Sequence, residues 1–128
     1  MVTYTIDANE RLIRTICSGF VTLDEVAAHF HELAGDPACP SYLDVLLDLQ
    51  TTDSLPRKGE LQAVTVELAR VRAKVRFGLC AIVVQRTVLF GMFRMFEVMA
   101  QDYFTAIRVF RVAAEAEAWL ASQRLPAR

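Results

Sequence analysis

Tyr42-Leu43-Asp44-Val45-Leu46-Leu47-Asp48-Leu49, continuing as Gln50-Thr51-Thr52-Asp53-Ser54, is the stretch on which the fold turns. An apolar run of strand length meets a carboxylate and then opens into short polar residues. That pattern predicts a buried strand of an α/β sheet. In such sheets the segments leaving the carboxyl ends of the strands carry the working groups. A loop running from Leu49 to Ser54 at that edge follows as an expectation.

Working outward, strand and helix patterns alternate. Val2, Tyr4 and Ile6 interleave with Thr3 and Thr5, the period of a half-buried strand. Asp7-Ala8-Asn9-Glu10 is turn-forming, residues 11–18 resume strand character, and a β-hairpin therefore opens the chain. Gly19 ends it. Thr22 and Glu25 have the spacing of a capping box, with Val21 and Val26 in the staple positions. The helix they start carries Leu23, Val26, Phe30 and Leu33 on one stripe and stops at Gly35-Asp36-Pro37.

A second helix is expected over residues 60–73, its end crowded by Arg70, Arg72 and Lys74, where cations suit the helix dipole. Residues 75–84 are apolar on both alternating faces from Phe77 onward, which predicts a central strand covered on both sides. A third helix over residues 88–103 sets Leu89, Met92, Phe93, Met95, Phe96 and Met99 against Arg94, Glu97 and Gln101. Residues 106–110 form a last strand, 113–123 a last helix, and 125–128 a tail expected to fray. The order β-β-α-β-α-β-α-β-α predicts one α/β domain over residues 1–128: an N-terminal hairpin, then β-α repeats in a mixed, mostly parallel sheet packed with helices.

Composition narrows the function classes. A net charge of −1 opposes general nucleic-acid binding, which needs concentrated positive charge. The longest apolar run, residues 77–84, is far short of the roughly 20 residues that span a bilayer. Met1-Val2-Thr3-Tyr4-Thr5 lacks the basic start of a signal peptide, so a cytoplasmic protein outside the membrane is the expectation. Cys17, Cys39 and Cys80 are odd in number and lack CxxC spacing, which favours reduced thiols over a disulfide or zinc framework.

The hairpin end Ser18-Gly19-Phe20-Val21-Thr22, the strand Leu43-Asp44-Val45-Leu46-Leu47-Asp48, the segment Phe90-Gly91-Met92-Phe93-Arg94-Met95-Phe96, and Val109-Phe110-Arg111 leading to Glu117-Ala118-Trp119-Leu120 share a pattern. Together they resemble the SpoIIAA-like, anti-sigma-factor-antagonist-like family of STAS-type domains. More narrowly, they are similar to the small bacterial group related to CRAL-TRIO lipid-binding folds. The resemblance implies a STAS-like fold and a non-enzymatic regulatory or protein-interaction module. In some STAS domains a Ser or Thr in the loop after the strand is phosphorylated. Asp53-Ser54 looks like the family's Asp-Ser pair, with Leu55-Pro56 where a Gly usually follows.

The expected working surface is a rim at the carboxyl ends of the strands: Asp48, Thr51, Thr52, Asp53 and Ser54 on one side, Arg86, Thr87 and Arg111 on the other. One reading has Arg86, Thr87 and the third helix's N-terminus holding an anion. Another has Asp48 pairing with Arg86 or capping a turn while Thr87 caps its helix. Phe90 falls on the polar arc of its helix, where it would line a ligand pocket, meet a partner chain, or fold under the loop after Ser54. With Val98 it would suit a homodimer.

The Met and Phe stripe of the third helix is core, or else the wall of a site for a small apolar anion or lipid, which makes a carrier or sensor the alternative function. His29 and His31, two apart on a helix, point to different sides, cannot share an ion and are expected in solvent. Asp44 and Asp48 share a strand face about 13 Å apart, beyond the roughly 5–9.5 Å of paired catalytic carboxylates. Asp44 is instead expected to pair with a basic neighbour on a partly wet face. Without a nucleophile elbow, phosphate loop or dinucleotide glycine motif, neither an enzyme nor a cofactor is expected.

Overall fold

The structure, a computed structural model, describes residues 1–124. The tail at 125–128, where fraying was expected, and the side chain of Lys58 lie outside the described residues. Strands β1 (Val2–Asp7) and β2 (Leu12–Gly19) form the predicted antiparallel hairpin, with Val2 opposite Cys17 and Asp7 opposite Leu12. Its turn is closed by the Asp7 carboxylate, which accepts from the Glu10 N–H at 3.0 Å. Strands β3 (Tyr42–Thr52), β4 (Arg76–Val83) and β5 (Ala106–Phe110) follow in parallel, and the sheet order is β1-β2-β3-β4-β5.

Helices α1 (Leu23–Gly35), α2 (Lys58–Val71) and α3 (Thr87–Ala100) connect successive parallel strands, and α4 (Ala113–Gln123) closes the described chain. Each crossover steps one strand in the same direction, so crossovers of one hand lay α1, α2 and α3 on one face of the sheet. Leu61 and Leu68 of α2 and Leu89, Phe93 and Phe96 of α3 pack there on Leu49, Cys80 and Ile82. Ala116 and Leu120 of α4 cover the opposite face over Leu46, Leu79, Ala81 and Val83. β4 is thus buried on both sides, as its doubly apolar pattern predicts.

α1 starts as the spacing predicts. The Thr22 hydroxyl accepts from the Glu25 N–H at 3.2 Å, and the Glu25 carboxylate accepts from the Thr22 N–H at 3.2 Å. These bonds satisfy two of the amides that a helix start leaves unpaired.

The structure corrects the expectations in three places. β3 does not end at Leu49: it runs on to Thr52, because β2 also continues and pairs Ser18 with Thr51 and Gly19 with Thr52 beyond a bulge. Thr51 and Thr52 are strand residues. Asp44 has its basic neighbour, Arg124, with Nε 2.8 Å from Oδ2, but it is buried rather than partly wet. Its Oδ1 also accepts from the Leu79 N–H at 2.7 Å, where the β3–β4 register shifts. His31 is exposed, whereas His29 packs edge-on against Tyr4 and beside Phe30.

Candidate functional site

The segments leaving β2, β3, β4 and β5 meet at one edge of the sheet, and side chains stitch them together. Gly19 adopts φ +62°, a conformation that suits glycine. It turns the chain so that its carbonyl accepts from the Asp53 N–H at 2.8 Å and the Thr52 hydroxyl at 3.1 Å. The Ser54 hydroxyl accepts from the Val21 N–H at 2.6 Å and donates to the Val21 carbonyl at 3.2 Å. Arg86 reaches the Asp53 carbonyl at 3.5 Å. Arg111 donates to the Gln85 carbonyl at 2.9 Å and to the Thr87 hydroxyl at 3.2 Å. Asp48, inside β3 at the bulge against β2, accepts from the Gln50 N–H at 2.9 Å, and the Gln50 amide oxygen accepts from Gln85 at 3.4 Å.

Asp48, Arg86 and Arg111 therefore converge on one edge, with Asp53, Ser54 and Thr87 between them. Asp48 pairs with the Gln50 amide rather than with Arg86. Thr87 does not cap α3: Arg86 occupies the cap position without a side-chain bond, and Thr87 is the first helical residue. Phe90 turns toward β5, its ring beneath Arg111 and Arg94, whose guanidinium carbons lie 5.6 and 6.0 Å from its centre. Val98, the other residue considered for a homodimer, is exposed while Phe90 is half-buried.

One feature of the edge escapes motif reading. Phe20, Leu55, Val88 and Val112 are all exposed, and each sits on the segment that leaves a different strand, β2 to β5 in turn. Phe20 is 79% exposed. A large apolar residue directly after the strand-ending Gly19 was the available signal. The edge thus carries apolar tips among Arg86, Arg111 and Asp53, a mixture suited to a protein surface.

Behind the edge, between the sheet and helices α1 to α3, lies a cavity of about 150 Å³. Thr15, Cys17, Leu47 and Leu49 form its sheet wall, and Phe30, Val64, Phe93 and Phe96 its helix wall. Phe93 and Phe96 of the apolar stripe are therefore both core and wall, while Met95 is exposed. Sequence reading did not reveal the cavity, because its lining residues look like ordinary core wherever they stand. Burial pushes the Cys17 thiol up to about 11 and raises Cys80 further. Both are poor nucleophiles near neutral pH.

His29 also lines the cavity. Burial holds its imidazole below the ordinary histidine range, opposed by the nearby Glu32 carboxylate. Its Nδ1 is buried without a hydrogen-bond partner. Tyr4 beside it donates to Asp36 at 2.7 Å. Among the described residues, no three His, Cys, Asp or Glu side chains are grouped to hold a metal ion, and no helix is long and apolar enough to cross a membrane.

Comparison with known proteins shows the fold. No family model matches the chain, and no curated protein matches it. Among solved structures, an uncharacterised protein of the DUF3478 family from Shewanella loihica PV-4, described as having a SpoIIAA-like fold, matches with a TM-score of 0.59. The match covers 94% of this chain and 92% of that one at 16% sequence identity. The chain has a SpoIIAA-like α/β fold.

Proposed function

We propose that the chain is a non-enzymatic regulatory module that acts by binding a protein partner at the stitched edge. The observation that carries this reading is the convergence there of four strand exits, tied by side-chain bonds and tipped with Phe20, Leu55, Val88 and Val112 beside Arg86 and Arg111. A preorganised surface of apolar anchors with a polar surround binds at low ordering cost.

The phosphorylated-switch version of this reading has little support. The Ser54 hydroxyl is engaged in both directions with Val21, and Thr52 is buried and bonded to Gly19. Thr51 remains exposed. Regulation by occupancy suits the edge better than regulation by a kinase.

Comparative affinity capture from the native cell tests the proposal. The wild-type chain is expected to retain a partner that the variant Phe20→Ser/Val88→Ser/Arg86→Ala loses, with both proteins equally folded by circular dichroism. Equal retention by the variant would refute the edge as the working surface. The apolar cavity supports a second reading, that of a carrier or sensor for a small apolar ligand.

A further inference from the structure

Protein interiors are close-packed, and voids much larger than a water molecule are few. A cavity of about 150 Å³ is several times the roughly 30 Å³ that a water molecule occupies in the liquid. Of its lining residues only Thr15 and His29 are polar, and its surface is almost wholly carbon and sulfur. The one buried polar side-chain atom without a partner, among the described residues, is His29 Nδ1.

Among the described residues no Lys or Arg lines this cavity. Arg86 and Arg111 bond to backbone and hydroxyl groups at the edge and are not part of its lining. A carboxylate moved into it would lose its hydration and meet, among the described residues, no Lys or Arg but only His29, whose imidazole burial holds below the ordinary histidine range. The wall therefore selects for uncharged ligands. Its volume matches the roughly 150 Å³ apolar cavity known to take benzene.

A second void, of about 70 Å³, adjoins the first and shares the wall residues Cys17, Leu49 and Phe93. It is otherwise bounded by Val21, Ser54, Pro56 and Leu89, directly beneath the edge. The Phe93 ring stands in both walls, and Ser54, bonded to Val21, lines the second void on the edge side.

We propose that the sheet–helix cavity is a binding site for one compact, uncharged, largely hydrocarbon ligand of monoaromatic size, admitted from the stitched edge past Phe93. This rests on the carrier-or-sensor reading and narrows it, replacing the apolar anion or lipid with a small neutral molecule. The route places ligand exchange beneath Ser54, so occupancy and the surface formed by Val21 and Ser54 are coupled.

Toluene and benzoate, close in shape and different in charge, test this on the intact chain by isothermal titration at pH 8. Toluene is expected to bind saturably at one site, and benzoate at least tenfold more weakly. Nuclear Overhauser contacts from bound toluene should reach the methyls of Leu47 and Val64. Val64→Phe, which fills the helix wall, should weaken toluene at least tenfold, and Val66→Ala, exposed on α2 and outside the cavity lining, should leave it within twofold. The Overhauser contacts on wild-type protein decide the site should Val64→Phe misfold. Absence of saturable toluene binding by folded protein, contacts elsewhere, or benzoate binding as tightly as toluene overturns the proposal. If decanoate binds while toluene does not, this inference falls and the broader carrier reading stands.

Discussion

Asp44 shows how one side chain serves two ends of the molecule. Its Oδ1 takes the Leu79 N–H at the β3–β4 irregularity, and its Oδ2 takes Arg124, which also reaches the Glu10 carbonyl. Gly78 is required beside it, because a Cβ there would collide with Tyr42 and Asp44. Arg124→Ala leaves a buried carboxylate uncompensated, and the expected loss is about 3–5 kcal/mol in urea unfolding. Adding Asp44→Asn should recover part of that loss by removing the charge. His29 predicts a pH dependence of known sign. Its folded pKa lies below the ordinary value of about 6.5, so below that pH the unfolded chain binds the extra proton. Stability is expected to fall as pH drops from 7 toward the lowered folded value. His29→Leu should flatten that slope in a series of thermal midpoints, and an equally steep slope in the variant would contradict the assignment. The spacing of His29 and His31, two apart on a helix, on its own separates the two rings. It could not show that Tyr4, far away in sequence, would cover His29.

At the scale of elements, β5 is an edge strand whose exposed amides could recruit a further strand. The Glu97 carboxylate from α3 answers this by accepting from the Val109 N–H at 2.7 Å, while Arg94 holds Glu97 at 3.2 Å. Glu97→Ala should cost about 1–3 kcal/mol through the unsatisfied amide. It should also promote concentration-dependent association, read by analytical ultracentrifugation; a monodisperse variant of unchanged stability would contradict this role. Both ends of β5 and α4 were legible, because the change from a strand period to a helical one is sharp at Arg111-Val112. The end of β3 was not. Gln50-Thr51-Thr52 reads as a loop, and only pairing with Ser18 and Gly19, more than thirty residues away, extends the strand.

For the whole molecule, the convergence of Asp48, Arg86 and Arg111 followed from strand order, since parallel strands bring their exits to one edge. The cavity did not follow, because it depends on how far α1, α2 and α3 stand from the sheet. Sequence periodicity records which residues face inward and is silent on that spacing. The central claim is that the edge is the working surface. Site-specific photo-crosslinking in the native cell tests it most directly, with the photoreactive group placed at Phe20, Val88, Val66 or Val98, all exposed. The account predicts an adduct of one common mass from positions 20 and 88, and none of that mass from 66 on α2 or 98 at the far end of α3. Adducts confined to 66 or 98 would contradict it.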